Sequence, residues 1–132
     1  IGLELVLQGE YGLRSFISGV SPNFDDRCGY CYRVRFEAAA AYAAQNGFDA
    51  FTTTLLISPY QKHELIRQVA GEVAQKHHVS FLYRDFRPYF RDGQQKARDL
   101  GLYMQKYCGC IFSEEDRYKT KKKALPAAQR TP

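Results

Sequence analysis

Segments with the apolar pattern of a strand alternate along this chain with segments that have the pattern of a helix. Residues 32–45 are rich in alanine and residues 60–78 place apolar side chains on one helical face, so both are predicted helices. β-Branched and aromatic residues predict strands at 48–57 and 79–83. Strands that alternate with helices favour β-α-β units. We therefore expect the α/β class: an open parallel sheet with helices on both faces, in a Rossmann-like three-layer architecture.

Weaker patterns extend this scheme toward both ends of the chain. A short strand is predicted at 3–7, where apolar and polar residues alternate, and a helix at 11–20. Another helix is predicted at 93–104, with Gly101 as its candidate terminator. The segment 105–112, which contains two cysteines, has the pattern of an extended segment.

The chain of 132 residues is long enough for one domain with a buried core. We predict a single α/β domain at 1–118 and a disordered basic tail at 119–132, because the tail has too little apolar content to pack. The sequence begins with Ile1 inside an apolar run. We therefore expect an N-terminally incomplete domain, the C-terminal portion of a larger one.

Composition excludes some functional classes and permits others. No apolar run approaches the roughly 18 residues of a membrane span, and no export signal is visible, so we expect a cytoplasmic protein without a membrane partner. Cytosolic thiols stay reduced unless they bind metal or do redox work, which disfavours a structural disulfide framework. The formal net charge of +5 permits a polyanionic partner.

The four cysteines occur in two tight pairs that lie far apart in the sequence. Cys28 and Cys31 form C-G-Y-C, a spacing that can supply two metal or cluster ligands or a redox disulfide. Structural zinc and a thioredoxin-like role remain open, although neither has its usual spacing. Cys108 and Cys110 form C-G-C, where a disulfide would be strained and easily reduced, as in a catalytic dithiol. The alternative for the second pair is two buried, inert thiols.

The predicted sheet also locates a site, because ligands of open parallel sheets bind at the carboxyl ends of the strands. Cys28 and Cys31 precede a helix N-terminus at that edge, where the helix dipole favours thiolates. Residues 105–110 are expected to climb from the opposite edge by about 17 Å, at roughly 3.3 Å per residue, which brings the second pair to the same place. The residues that follow the strands share this edge: Thr52, Thr53, Thr54, Ser58, Tyr60, Gln61, Asp85, Phe86 and Arg87.

Four longer motifs strengthen this interpretation. They are RCGYCY at 27–32, GFDAFTTTLLISPYQKH at 47–63, FLYRDFRPYFRDG at 81–93 and YMQKYCGCIFSEEDRY at 103–118. In this order they closely resemble the cobalamin-independent, QueH-type epoxyqueuosine reductases, and the resemblance covers about Arg27 to Tyr118. The family that the chain resembles reduces the epoxide of epoxyqueuosine, at the wobble position of certain tRNA anticodons, to the alkene of queuosine. This is the last step of tRNA queuosine biosynthesis.

The resemblance implies an iron-sulfur oxidoreductase. Cys28 and Cys31 match ligand positions of a [4Fe-4S] cluster, and Cys108 and Cys110 match a redox-active pair. A cluster normally takes four thiolates, and the N-terminal C-C-x-P-C element that completes the site in the family does not occur in this sequence. We therefore expect the chain alone to be catalytically inactive.

The partners implied by the resemblance are tRNA with a queuosine-type anticodon and an electron donor that the sequence does not identify. An additional mononuclear iron beside the cluster is left open. The alternative to the reductase is a non-catalytic nucleic-acid-binding domain in which the four cysteines hold zinc.

Other residues at the predicted edge are candidates for proton transfer. Tyr60, Asp85 and Tyr107 are the candidate proton donors. Asp85 could equally bind a metal, cap a turn or pair with Arg84 or Arg87.

Further residues are candidates for substrate contact. Those expected to bind substrate are Thr53, Thr54, Gln61 and Arg87. Aromatic side chains that could stack on the bases of an anticodon loop are Tyr60, Phe86, Tyr89 and Phe90. The histidines have charged neighbours, so His63, His77 and His78 are interpreted as surface residues.

Overall fold

A computed structural model describes residues 2–123 of the chain, with side chains described as far as Lys119. The chain divides into two compact units, Ile1–Pro88 and Tyr89–Pro132, and each is described by itself. The prediction of one α/β domain over 1–118 therefore stays a prediction.

Helices account for most of the described secondary structure. In the first unit the helices are α1 (Leu13–Val20), α2 (Arg27–Gln45) and α3 (His63–His77), and the strands are β1 (Ala50–Phe51) and β2 (Ser80–Phe81). The second unit contains α4 (Phe90–Asp99) and α5 (Ile111–Lys123). Short 3₁₀ turns occur at Phe24–Asp26, Thr54–Ile57 and Arg87–Tyr89.

Strands β1 and β2 pair in parallel, with Ala50 opposite Ser80 and Phe51 opposite Phe81. Helix α3 connects them, so the predicted β-α-β unit is confirmed and the fold is mixed α/β. Both strands are much shorter than predicted. After β1 the chain enters the 3₁₀ helix Thr54–Ile57 within three residues, which ends the strand. Among the described residues the sheet has only these two strands, which is less than the three-layer architecture that the sequence predicts.

The strand predicted at 3–7 and the extended segment predicted at 105–112 are both wrong. Residues 3–7 have no regular secondary structure, and Leu3 and Leu5 are about four-fifths exposed, because no neighbouring described strand supplies hydrogen-bond partners. Residues 105–110 have no regular secondary structure and bend at 106, 107 and 109, and Ile111 already begins helix α5.

The core of the first unit lies between α2, α3 and the strand pair. Phe36 of α2 is 1% exposed, and its ring centroid lies 6.4 Å from that of Phe51 in β1 and 6.0 Å from that of Phe81 in β2. Ala40 and Ala43 continue the buried face of α2. Ile66, Val69, Ala70 and Val73 form the facing surface of α3, as the helical spacing predicted.

Helix ends follow the sequence signals closely. After α2, Gly47 has a φ of 73°, and the Phe48 N–H donates to the Ala43 carbonyl at 2.9 Å, as expected where an Asn-Gly pair ends a helix. Gly101, with a φ of 66°, likewise follows α4. Helix α5 runs to Lys123, so residues 119–123 of the predicted disordered tail are helical, and 124–132 lie outside the described residues. No described helix has the length and apolar character needed to cross a membrane.

Ion pairs link the exposed edges of α2 and α3. The Glu37 carboxylate accepts hydrogen bonds from His77 Nε2 at 2.5 Å and from Lys76 Nζ at 2.9 Å. These bonds, His77 first, lower the pKa of Glu37 from its usual 4.5. His77 is therefore a half-buried ion-pair partner rather than the plain surface residue that we predicted.

Replacing Glu37 with glutamine tests this link. Because its pKa is lowered in the folded state, Glu37 stabilises the fold above pH 4.5, and this contribution is lost as the pH falls through the folded pKa. We expect Glu37→Gln to reduce the free energy of unfolding by about 0.2–1 kcal/mol at neutral pH, measured by urea denaturation.

The control is Glu64→Gln in α3. The Glu64 carboxylate is exposed and lies 3.6 Å from Arg67 of the same helix, so its loss should matter less. At acidic pH the difference between Glu37→Gln and the wild type should disappear. A difference that does not change with pH would contradict the ion-pair account.

Candidate functional site

The C-G-Y-C motif lies inside helix α2 rather than before it. Helix α2 begins at Arg27, so Cys28 and Cys31 occupy its first two turns. Residues three apart share one helical face, which puts the two thiols side by side. Both are half-buried, and Cys28 packs against the core. Two adjacent thiols of this kind are the donor chemistry that an iron-sulfur cluster takes, so the pair fits two ligand positions.

The position of this first turn depends on Tyr30, one of the two residues between the cysteines. Its ring lies over Gly19 of α1, where a Cβ would come within 2.0 Å of the ring carbon Cζ. The ring of Phe16, also in α1, has its centroid 6.0 Å from that of Tyr30. The absence of a side chain at Gly19 therefore lets α1 pack directly on the cysteine-bearing turn.

Two of the predicted threonines have structural roles. Thr52 Oγ1 donates to the Leu82 carbonyl at 2.8 Å, which joins the carboxyl ends of the two strands. Thr53 Oγ1 accepts from the Leu55 N–H at 3.2 Å and caps the 3₁₀ turn after β1. Thr54 is exposed at the start of that turn.

The loop after this turn is tied to the start of α2. Tyr32 is 2% exposed and follows Cys31 directly; its hydroxyl donates to Gln61 Oε1 at 2.7 Å and accepts from the Lys62 N–H at 3.1 Å. The structure thus brings the helix that carries the first cysteine pair into contact with the 58–62 loop. We refer to these two hydrogen bonds as the Tyr32 clamp.

His63 is a correction to the sequence analysis. It is 6% exposed rather than on the surface, and its Nε2 lies 2.9 Å from the Ser58 carbonyl oxygen. Its Nδ1 is buried without a hydrogen-bond partner among the described residues. The sequence did indicate this burial, because His63 shares a helical face with Ile66, Ala70 and Val73. The surface prediction instead followed the charged residues on either side of His63.

Asp85 is bound to Arg87 at the end of the segment that follows β2. Arg87 donates to its carboxylate from Nε at 2.9 Å, from Nη2 at 2.7 Å and from the backbone N–H at 3.0 Å. The side-chain hydrogen bonds from Arg87 lower the pKa of Asp85 to about 2, so the carboxylate is ionised at neutral pH. This geometry favours the turn-capping and ion-pair interpretation over that of a proton donor. Tyr60, at 84% exposure, lies at the surface of the same unit.

The second cysteine pair brackets a sharp turn before α5. Gly109 has a φ of 81°, a backbone conformation that favours glycine. This conformation explains why a glycine separates the two cysteines. Cys108 is exposed, and Cys110 is half-buried with its carbonyl accepting from the Glu114 N–H in the first turn of α5. The Glu114 carboxylate raises the pKa of Tyr107, so this phenol is a weaker acid than an ordinary tyrosine.

The cysteines are not joined to one another in the structure. None of the four is in a disulfide. Over the part of the chain that the structure describes, no group of three or more His, Cys, Asp or Glu residues could hold a metal ion. Each unit therefore presents one pair of thiols.

Comparison with known proteins identifies the family. A protein-family model described as "Epoxyqueuosine reductase QueH" matches residues 2–116, which include both cysteine pairs. The chain belongs to the QueH family. The QueH motifs on which the sequence resemblance was based are thus supported by a match over most of the chain.

QueH relatives from diverse bacteria are similar to this chain. The epoxyqueuosine reductase QueH of Dehalococcoides mccartyi is 38% identical over 118 residues, covering 89% of this chain and 65% of the relative. That of Thermotoga maritima is 34% identical, covering 69% of this chain and 48% of the relative. The QueH of Helicobacter pylori is 34% identical, covering 86% of this chain and 34% of the relative. The chain thus spans about one third to two thirds of these QueH relatives.

Two helical glycines offer a matched test of the packing on Tyr30. Gly19→Ala forces the ring away from α1, and we expect a loss of about 1–3 kcal/mol in the free energy of unfolding. Gly71→Ala in α3 meets nothing within 4 Å and should instead stabilise the fold by about 0.5–1 kcal/mol through helix propensity. Chemical denaturation measures both changes, and equal stabilisation by the two alanines would contradict the close contact at Gly19.

Removing one hydroxyl tests the Tyr32 clamp. Tyr32→Phe leaves the Lys62 N–H and Gln61 Oε1 without their partner, and we expect a cost of about 1–3 kcal/mol. Hydrogen exchange at the Lys62 amide should accelerate. The Ile66 amide, which donates to the Lys62 carbonyl at 2.9 Å inside α3, is the internal control and should change only with global stability. Unchanged exchange at Lys62 would show that the clamp does not hold the loop.

Proposed function

We propose that this protein reduces the epoxide of epoxyqueuosine in tRNA to the alkene of queuosine, the last step of queuosine biosynthesis. The observation that carries the proposal is the QueH match over residues 2–116, which includes both thiol pairs. The substrate is the modified nucleoside at the anticodon wobble position of tRNA. Single-stranded anticodon loops are read by stacking and by contacts to base edges, and Tyr60, Phe86 and Tyr89 are exposed for such stacking.

The chemistry assigned to the second thiol pair balances the reaction. Removing the epoxide oxygen breaks two C–O bonds, forms the C=C bond, consumes two electrons and two protons, and releases water. Oxidation of the Cys108 and Cys110 thiols to one disulfide supplies two electrons and two protons. Gly109 supports this role because its positive φ folds the backbone between the two cysteines. An external electron donor then returns the disulfide to the dithiol.

The first thiol pair is assigned to cofactor binding. Cys28 and Cys31 would hold two of the four ligand positions of a [4Fe-4S] cluster, and the bound cluster would supply single-electron transfer. Packing on Tyr30 and the nearby Tyr32 clamp orient these thiols. We further propose that β1 and β2 belong to an open parallel sheet with helices on both faces, because their parallel crossover through α3 is the repeating unit of that architecture.

Proton donation and substrate orientation are assigned to surface residues of the two units. Tyr107 and Tyr60 are the candidate proton donors. The phenolic hydrogen of Tyr107 is present at neutral pH, and the raised pKa makes this phenol a weaker acid than an ordinary tyrosine. Arg87, held by Asp85, is assigned to substrate binding, with Asp85 as its positioning residue. Thr53 and Thr54, at the start of the 3₁₀ turn after β1, are likewise assigned to substrate binding.

Serine variants of the two pairs separate these roles. In the complete, anaerobically purified enzyme, Cys110→Ser should abolish conversion of epoxyqueuosine to queuosine, measured by mass spectrometry of tRNA nucleosides, while the iron-sulfur absorbance and the iron content remain. Cys31→Ser should lose both absorbance and iron, because a cluster ligand is removed.

Other outcomes would change the assignment. Turnover by Cys110→Ser would refute the redox role of the second pair. A colourless wild-type protein with stoichiometric zinc that binds RNA without converting it would instead support the non-catalytic nucleic-acid-binding domain.

A further inference from the structure

The side chain of Gln61 is held in one orientation by its neighbours. Its Oε1 lies 2.7 Å from the hydroxyl of Tyr32, and that same hydroxyl lies 3.1 Å from the backbone nitrogen of Lys62. Tyr32 is almost fully buried, so these contacts replace hydrogen bonds to water.

The direction of each hydrogen bond follows from the chemistry of the donors. A backbone N–H can only donate, so the Tyr32 oxygen accepts from Lys62. The Tyr32 hydroxyl donates its hydrogen to Gln61 Oε1, because only the carbonyl end of the Gln61 amide can accept it. The amide therefore cannot flip without leaving a buried hydroxyl hydrogen facing an NH₂ group, and an unsatisfied buried donor is unfavourable.

The opposite end of the same amide is available for a ligand. Gln61 is half-buried, and its Nε2 donates to no other described residue and is not itself a buried atom. The two N–H bonds of this group lie in the loop that the Tyr32 clamp fixes beside the cysteine-bearing turn of α2.

We infer that Gln61 is a specificity-determining residue whose Nε2 donates a hydrogen bond to an acceptor atom, an oxygen or an unprotonated ring nitrogen, of the substrate nucleoside. This inference rests on the proposed function and names the contact that the substrate makes. Tyr32 is the positioning residue, since it fixes which end of the amide is presented.

The rest of the loop supports a fixed donor. Within it the Tyr60 N–H donates to Ser58 Oγ at 3.2 Å, and the buried ring of His63 holds the Ser58 carbonyl through Nε2 at 2.9 Å. A donor held in place before the substrate arrives loses little conformational entropy on binding, which is what discrimination between nucleosides requires.

The test exchanges the donor for an acceptor of the same shape. Gln61→Glu keeps an oxygen for the Tyr32 hydroxyl but presents a carboxylate oxygen where the N–H bonds were. In the complete, anaerobically purified enzyme we expect kcat/KM for tRNA containing epoxyqueuosine to fall by about 10-fold or more. We also expect weaker binding of an anticodon stem-loop RNA that contains epoxyqueuosine, measured by fluorescence anisotropy, with little change in melting temperature. Gln75→Glu, the same substitution at an exposed position of α3, is the matched control and should behave as the wild type.

A double-mutant cycle distinguishes orientation from a merely structural role. Tyr32→Phe frees the Gln61 amide to rotate, so this variant should already have a lower kcat/KM. Gln61→Glu should then lower kcat/KM by a clearly smaller factor in the Tyr32→Phe background than in the wild type. In the wild-type protein, the side-chain ¹H–¹⁵N signals of Gln61 should shift when the stem-loop is added, which tests the contact even where a variant folds poorly.

The outcomes separate the two proposals. A wild type that converts epoxyqueuosine while Gln61→Glu stays within about threefold of it would overturn the role of Gln61 and leave the reductase proposal intact. Equal effects of Gln61→Glu with and without the Tyr32 hydroxyl, or unshifted amide signals, would also overturn it. A cluster-containing wild type that converts no epoxyqueuosine would overturn the proposed function, and this inference with it.

Discussion

Packing of α2 on α3 beside the β1–β2 pair is the constraint on which the first unit depends. Phe36 lies at the centre of this packing. Its ring contacts an aromatic ring of each strand and also the ring of Tyr32, one turn earlier in α2. Removing such a side chain from water is among the largest single contributions to a small core. Because Tyr32 is part of the same buried face, the packing also decides where the 58–62 loop and the thiols of the first turn come to rest. Core and candidate site are therefore built from one helix face.

Much of this unit could be predicted from residue patterns. Helices α1, α2 and α3 were expected within a few residues, and the Asn-Gly signal ended α2 where predicted. The parallel pairing of β1 with β2 followed from the chain order alone, since a helix between two strands leaves few other arrangements. Strand length was not predictable in this way. Thr52 and Thr53 have high strand propensity, but their hydroxyls bond to backbone groups and the chain turns after Phe51.

The site was predictable in outline and not in detail. The predicted sheet placed the first cysteine pair and the β1–α3 loop at one edge, and the Tyr32 hydrogen bonds show that α2 contacts this loop. Asp85 was left between two interpretations because a sequence does not show whether a nearby arginine folds back onto a carboxylate. His63 was misjudged because its neighbours Lys62 and Glu64 are charged, whereas burial depends on which side of the helix meets the core. Residues 105–110 were expected to extend, but the positive φ of Gly109 makes a turn there.

The internal ion pairs have a consequence for RNA binding. The sequence has 19 arginines and lysines, yet Arg33, Lys76, Arg87 and Lys119 each lie against a carboxylate of this chain. A phosphate that approaches one of these cations must displace the carboxylate, so little additional counterion release accompanies the contact. Electrostatic attraction of a nucleic acid then depends on the remaining cations, and its dependence on salt concentration should be shallower than the number of arginines and lysines suggests.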